Sequence, residues 1–134
     1  MTRTPETEGW TPHGDGTYVG QLGLVYERVT DLGIEIALQT DERHINLSGI
    51  VHGGVLMTLL DRTVGINCRA TAPGVRMATA TLTVNFLRQV QIGDFITLTC
   101  QLTKKGRKAV FANAEAWVDD KLVATATGIC MTVG

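Results

Sequence analysis

The sequence predicts an α+β domain, with one long buried central helix wrapped by an antiparallel sheet of about five or six strands. Two observations predict it. Residues 52–70 are apolar nearly all round a helical wheel, and residues 77–133 fall into four stretches rich in Val, Ile and Thr, separated by turn residues. With 134 residues the chain has room for one core, and a domain near this size buries roughly two thirds of the surface its unfolded chain exposes.

Residues 1–17 are rich in Thr, Pro, Gly and charge, which favours a flexible N-terminal arm ahead of a single domain over residues 18–134. Trp10 is the arm residue with the means to dock. In residues 23–39, Val25, Ile34, Ile36 and Leu38 alternate around a turn-like Thr30–Gly33, as a pair of strands would. A short polar connection, TDERHINLSG, then leads into the central segment. From His52 to Ala70 the strongly polar side chains are Asp61, Arg62, Asn67 and Arg69, while Val55, Leu56, Met57, Leu59, Leu60, Val64 and Ile66 cover most of the wheel. A helix of that kind is expected to be buried. Pro73 and Gly74 end it. The strands MATATLTVNFL, DFITLTCQLTK, KAVFANAEAWV and KLVATATGICMTV follow, joined by IGD, KKGR and DDK.

Composition narrows the function classes. A net charge of −1, with 19% charged and 44% hydrophobic residues, is that of an ordinary soluble protein and gives no reason to expect nucleic acid or a membrane surface as partner. Cys68, Cys100 and Cys130 are widely spaced and form no CxxC, so they read as buried thiols in a reducing cytosol. No apolar run approaches the ~20 residues of a membrane span, and the N-terminus lacks a signal-like apolar region; a cytoplasmic location is the expectation. The single serine, Ser48, stands outside any GxSxG. HExxH, P-loop and GxGxxG motifs are missing, and His13, His44 and His52 have no metal-ligand spacing with cysteine, so neither metal nor cofactor is expected.

The stretch NLSGIVHGGVLMTLLD, residues 46–61, carries the chemistry. Gly53 and Gly54 stand where loop becomes helix, so their amides belong to a first turn whose N–H groups lack intrahelical partners and share the positive end of the helix dipole. Such donors suit a developing oxyanion, and each is typically worth about 2.7 to 4 kcal/mol of barrier; the alternative is that the glycines permit close packing. Asp61 lies eight residues beyond Gly53, or roughly 12 Å along one helix. Both cannot touch one small reacting group, so joint catalysis requires a second copy of the chain with the two helices antiparallel across a two-fold axis. The alternative for Asp61 is an ion pair with Arg62, Arg69 or another nearby cation. Asn46 can donate to a carbonyl and His52 can hydrogen-bond or titrate near neutrality, and either could equally fix the loop. In KKGRK, Lys104, Lys105, Arg107 and Lys108 surround Gly106 at a hairpin tip; they suit phosphates or a solvated turn that discourages edge aggregation.

Asn46, then His52-Gly53-Gly54, then Asp61, followed by a strand ending TLTVNFLR, resemble the hotdog-fold acyl-CoA thioesterases of the phenylacetate-degradation (PaaI-like) type, over about residues 20–134. The resemblance implies a hotdog fold, protomers that pair their sheets edge to edge as a homodimer with composite active sites, and a homotetramer. It implies that the Gly53 amide and the Asn46 side chain polarise the thioester carbonyl. Asp61 of the partner protomer would activate water or attack directly, His52 would orient the site, and Thr81, by its offset from Asn85, would help hold the water. Gly54 would lie beside the substrate, and Arg88 with the KKGRK turn would contact the nucleotide part of coenzyme A. The chain departs from the pattern at Gln89, where the family often has proline, and at Arg62 next to the acid.

The expected function is therefore metal-free hydrolysis of an acyl-CoA or aryl-CoA thioester, with the coenzyme A thioester as substrate. An ionised aspartate suits this chemistry as a general base or a nucleophile. A non-catalytic acyl-CoA-binding protein is the alternative. A hotdog dehydratase or hydratase fits less well, because it relies on a differently spaced histidine and acid.

Overall fold

A computed structural model describes residues 4–14 and 16–134. The elements in chain order are β1 (Thr11–Pro12), β2 (Val25–Thr30), β3 (Gly33–Gln39), α1 (Gly53–Ala70), β4 (Met77–Phe86), β5 (Phe95–Lys105), β6 (Ala109–Val118) and β7 (Lys121–Thr132). The strands form one antiparallel sheet of seven, in the order β1-β2-β3-β5-β6-β7-β4. The strand beyond the expected five or six is the two-residue β1. The helix packs across the concave face, the hotdog arrangement.

Residue size decides how closely α1 approaches. The inward positions of β6 and β7 are small: Ala112, Ala114, Ala116, Ala124, Ala126 and Gly128. A Cβ on Gly128 would stand 3.0 Å from Val64 Cγ1, so glycine there lets the helix sit down on the sheet. Against this floor Leu59, Leu60 and Val64 are fully buried, each worth about 1.5–3 kcal/mol relative to exposure. At the helix end, Asn67 receives the Ile34 N–H on Oδ1 and donates from Nδ2 to the Ile34 carbonyl, both at 2.9 Å, and to the Thr63 carbonyl at 2.8 Å. That amide ties α1 to the start of β3.

Burial all round the helix is not what one chain delivers. A single sheet covers one face, and on the other Met57 is 44% exposed while Asp61 and Arg69 are also exposed. Strand β4 is last in the sheet, and among the described residues no strand pairs with its outer edge.

Within the segment read as an arm, Trp10 is docked. It is buried on the outer face of the sheet with Tyr26 and Phe95, its ring 5.9 Å from that of Phe95, and the Arg28 guanidinium lies 4.1 Å above it. Residues 1–3 of that segment, and Asp15, lie outside the described residues. Among the described residues no helix is long and apolar enough to cross a membrane.

Candidate active site

The loop before α1 is built to present Asn46. The Asp41 side chain accepts from Arg43 N and the Asp41 N–H donates to His44 Nδ1, a reciprocal capping box. The hydrogen bond from the Arg43 N–H, helped by the nearby Arg43 guanidinium, holds the Asp41 carboxyl below its ordinary value. The buried His44 contacts the Leu22 carbonyl through Nε2 at 2.6 Å, and its own carbonyl receives the His52 N–H at 2.8 Å. With both ends of the loop so anchored, Asn46 Oδ1 accepts from Ser48 N at 2.9 Å and Ile50 N at 3.3 Å. The amide orientation follows: Oδ1 is consumed by the loop, and Nδ2 is left with no acceptor among the described residues.

The HGG motif has a local logic. His52 is the N-cap of α1, and its Nδ1 accepts the Gly54 N–H at 2.8 Å, satisfying one orphan donor of the first turn. A Cβ on Gly54 would meet that ring at 3.0 Å, and a Cβ on Gly53 would meet the Phe86 ring at 3.2 Å. A methyl at either position would crowd a ring that now lies close to the backbone. Their amides differ: the Gly54 N–H is committed to His52, whereas the Gly53 N–H has no acceptor among the described residues. Gly53, Asn46 and Arg88 line one cleft of about 300 Å³, walled by Leu56, Phe86 and Leu87.

Asp61 opens onto a different cleft of about 340 Å³, with Tyr18, Thr58, Arg62, Gly65, Arg69 and Thr79. The two clefts share no lining residue, in keeping with a separation of roughly 12 Å along the helix. The Asp61 carboxylate makes no hydrogen bond or ion pair among the described residues. The intramolecular pairing with Arg62 or Arg69 that could have explained it does not occur. Arg62 instead turns its Nη1 to His13 Nε2 at 3.2 Å.

Thr79 takes the place expected of Thr81. The register between β4 and β7 slips between Thr79, opposite Cys130, and Thr81, opposite Ile129. Inward strand positions run Gly128 and Cys130, so Thr79 faces the helix, with Oγ1 3.9 Å from Cys130 Sγ, and Thr81 shares the outer face with Ile129. The bulge resets the alternation. Counting back from Asn85 cannot reveal that, because nothing local marks the extra residue.

The cationic turn is likewise displaced from expectation within one protomer. Lys105 Nζ donates to the Thr71 carbonyl at 2.8 Å, capping the C-terminal end of α1, so Lys104, Lys105 and Arg107 sit at the opposite end of the helix from Gly53. Two wider hollows of about 600 and 620 Å³ contain none of the candidate catalytic residues. Among the described residues no cluster of His, Cys, Asp and Glu is arranged to hold a metal.

Comparison with known proteins gives a consistent set. A family profile described as the thioesterase superfamily matches residues 48–125, a span that begins just after Asn46 and contains Gly53, Asp61 and Thr79. The "Putative esterase PA0474" of Pseudomonas aeruginosa is 34% identical over 95 residues, which are 70% of this chain and 71% of that protein. Acyl-coenzyme A thioesterase 13 of Mus musculus is 26% identical over 78 residues, 58% of this chain and 56% of its own length; the chain thus spans just over half of that relative. Among solved structures, a phenylacetic acid degradation-related protein from Ralstonia eutropha JMP134 superposes with a TM-score of 0.77 at 33% identity, covering 84% of this chain and 87% of that one.

Proposed function

The chain belongs to the thioesterase superfamily, and from that premise we propose that it hydrolyses the thioester of an acyl-coenzyme A, releasing the acid and coenzyme A, at composite sites shared by two protomers. The observation that carries this reading is the division of labour along α1: among the described residues, the Gly53 amide in one cleft and the Asp61 carboxylate in another have no partner. Each cleft holds half of what acyl transfer needs. The acyl-CoA activity named for the mouse relative supports the substrate class.

In this mechanism the thioester carbonyl accepts from Gly53 N–H and Asn46 Nδ2. Asp61 of the partner subunit takes a proton from a water held by Thr79, and the resulting hydroxide attacks the acyl carbon. The tetrahedral oxyanion is stabilised by the same two donors. Its collapse breaks the C–S bond, and the coenzyme A thiolate recovers the proton from Asp61. His52 acts through its cap, holding the first turn so that the Gly53 N–H points into the cleft. Gly54 serves the same purpose as its bonding partner.

The outer edge of β4 and the exposed Phe86, Leu87 and Met57 supply the surface for a second copy. Antiparallel helices across that two-fold would bring the partner's KKGRK tip toward the Arg88 side of the Gly53 cleft, where coenzyme A phosphates would lie; further pairing gives the tetramer.

Two experiments test the reading. Thiol release is measured on a panel of short, long and aryl acyl-CoA substrates, and Asp61→Asn and Asn46→Ala proteins are mixed and re-associated. Composite sites predict two inactive variants that regain activity together, because each hybrid dimer holds one intact site. Failure of the mixture to recover, with hybrids demonstrated, removes the composite site; absence of turnover in the wild type removes the hydrolase.

A further inference from the structure

His44 is a buried imidazole, 1% exposed, that the reaction scheme above does not use. Both ring nitrogens are engaged. Nδ1 lies 2.9 Å from the Asp41 N–H, and Nε2 lies 2.6 Å from the Leu22 carbonyl. A backbone N–H can only donate and a carbonyl can only accept, so Nδ1 carries the lone pair and Nε2 the proton. The Asp41 carboxylate stands farther off, 3.4 Å from Nδ1, and its Oδ1 accepts from the Arg43 N–H and Nε, each at 3.0 Å. The ring thus has one donor and one acceptor, and spends each on the backbone of a different segment. One is the helical turn Val19–Leu22, the other the turn that Asp41 caps.

The His44 backbone is the first rung of the loop that leads to α1. Its carbonyl receives the His52 N–H at 2.8 Å, Ile45 bridges Val51, and the Asn46 N–H donates to the Ile50 carbonyl at 2.8 Å. One arm of this closure carries Asn46, and the other runs into His52 and Gly53. The second arm is held by α1 itself and by the Val51 N–H on the Val90 carbonyl at 2.8 Å. On the first arm Ile45 and Leu47 are both exposed, so packing gives it little hold. The His44 ring supplies the anchor there. Asn46 and Gly53 line the same cleft, and the spacing between their donors is set by how firmly the first arm is fixed.

We propose that His44 is a positioning residue for thioester hydrolysis: its imidazole fixes the Asn46 amide at the spacing from the Gly53 N–H that the developing oxyanion requires. The inference rests on the hydrolase reading above and adds a residue to its machinery. A donor that is present but loosely placed still meets the ground-state carbonyl, yet forfeits the extra stabilisation of the tetrahedral oxyanion, and that difference is what accelerates the reaction. The effect of His44 therefore falls on kcat and leaves KM nearly alone. Leucine at this position would leave the Asp41 N–H and the Leu22 carbonyl without the ring. Glutamine would keep one donor and one acceptor.

The test compares wild type, His44→Leu and His44→Gln by thiol release from acyl-CoA and by amide hydrogen exchange. In His44→Leu, kcat is expected to fall by about tenfold to a hundredfold, less than outright loss of an oxyanion donor costs, with KM within about threefold. The Ser48 and Ile50 amides, which report the Asn46 side chain, should exchange faster, while those of Leu59, Leu60 and Val64 in the core of α1 keep wild-type rates. His44→Gln should recover part of both losses. Unchanged kcat in folded His44→Leu overturns the inference, as does faster exchange spread equally through α1, which would make the ring a matter of global stability. Should His44→Leu not fold, His44→Phe, which keeps a ring and loses both bonds, takes its place, and failure of both to fold overturns the positioning role. If the wild type releases no thiol, the hydrolase reading falls with the catalytic part of this one, and exchange still decides whether the ring holds the Asn46 loop.

Discussion

The Phe86 ring stands 3.2 Å from the point where a Cβ on Gly53 would lie, so the end of β4 presses directly on the first residue of α1. That contact builds the wall of the carbonyl cleft, and a methyl on Gly53 would require the ring to shift by a few tenths of an ångström. Gly53→Ala should therefore destabilise the fold by about 1 kcal/mol, the low end for an added methyl that a neighbour must yield to. Phe86→Leu in the same chain should recover most of that loss, since the two changes share one contact. Denaturant midpoints for the four proteins of the cycle decide it; additive losses would mean that the ring is not what excludes the methyl.

Asp61→Asn should reduce kcat by a hundredfold or more, about 2.7 kcal/mol of barrier. Because the carboxylate has no partner among the described residues of its own protomer, unfolding free energy should shift by no more than about 0.5 kcal/mol. A large stability loss with modest activity loss would assign Asp61 to the interface and not to the reaction.

Thr79 and Thr81 separate two accounts of the strand. Thr79→Val should lower kcat about tenfold, about 1.4 kcal/mol of barrier, by removing the hydroxyl that holds the attacking water. Thr81→Val, on the opposite face, should leave kcat within a factor of two or so, as surface changes remote from the reacting groups do. The reverse pattern would contradict the bulge.

Asn67 offers a stability test remote from the chemistry. Asn67→Leu would strip the Ile34 N–H and carbonyl of their partners inside the structure, at about 1–3 kcal/mol for each buried group left unmade. A loss of about 2–4 kcal/mol in chemical unfolding is expected, and a shift below half a kcal/mol would show that water replaces the amide.

The thiols predict an alkaline limb. Burial, with the nearby Cys130 thiol, pushes Cys68 from 9.0 up to about 12, and burial pushes Cys100 up to about 11. The folded protein therefore keeps protons that the unfolded chain sheds above pH 9, and stability must fall as pH rises from there toward 11 and 12. Cys100→Ala should shallow that decline relative to wild type when melting is followed from pH 8 to 10.5. Identical slopes would show that the thiol does not contribute.

What the sequence by itself determined is local. The helix from Gly53, its glycine-rich start, the halt after Ala70 and the four strands beyond it follow from periodicity and turn residues within short windows, and the roughly 12 Å between Gly53 and Asp61 follows from helix rise alone. Only the tertiary structure decided which side chains meet. The bulge that turns Thr79 inward is imposed by pairing with β7. The placement of Lys105 on the Thr71 carbonyl depends on where a hairpin ends relative to a helix. The line from Glu27 through His13 to Arg62 joins residues whose neighbours in sequence say nothing of one another. The physical reason is that a side chain's direction along a strand reverses with each residue, so a single slip in register, set by the neighbouring strand, reassigns which face it serves.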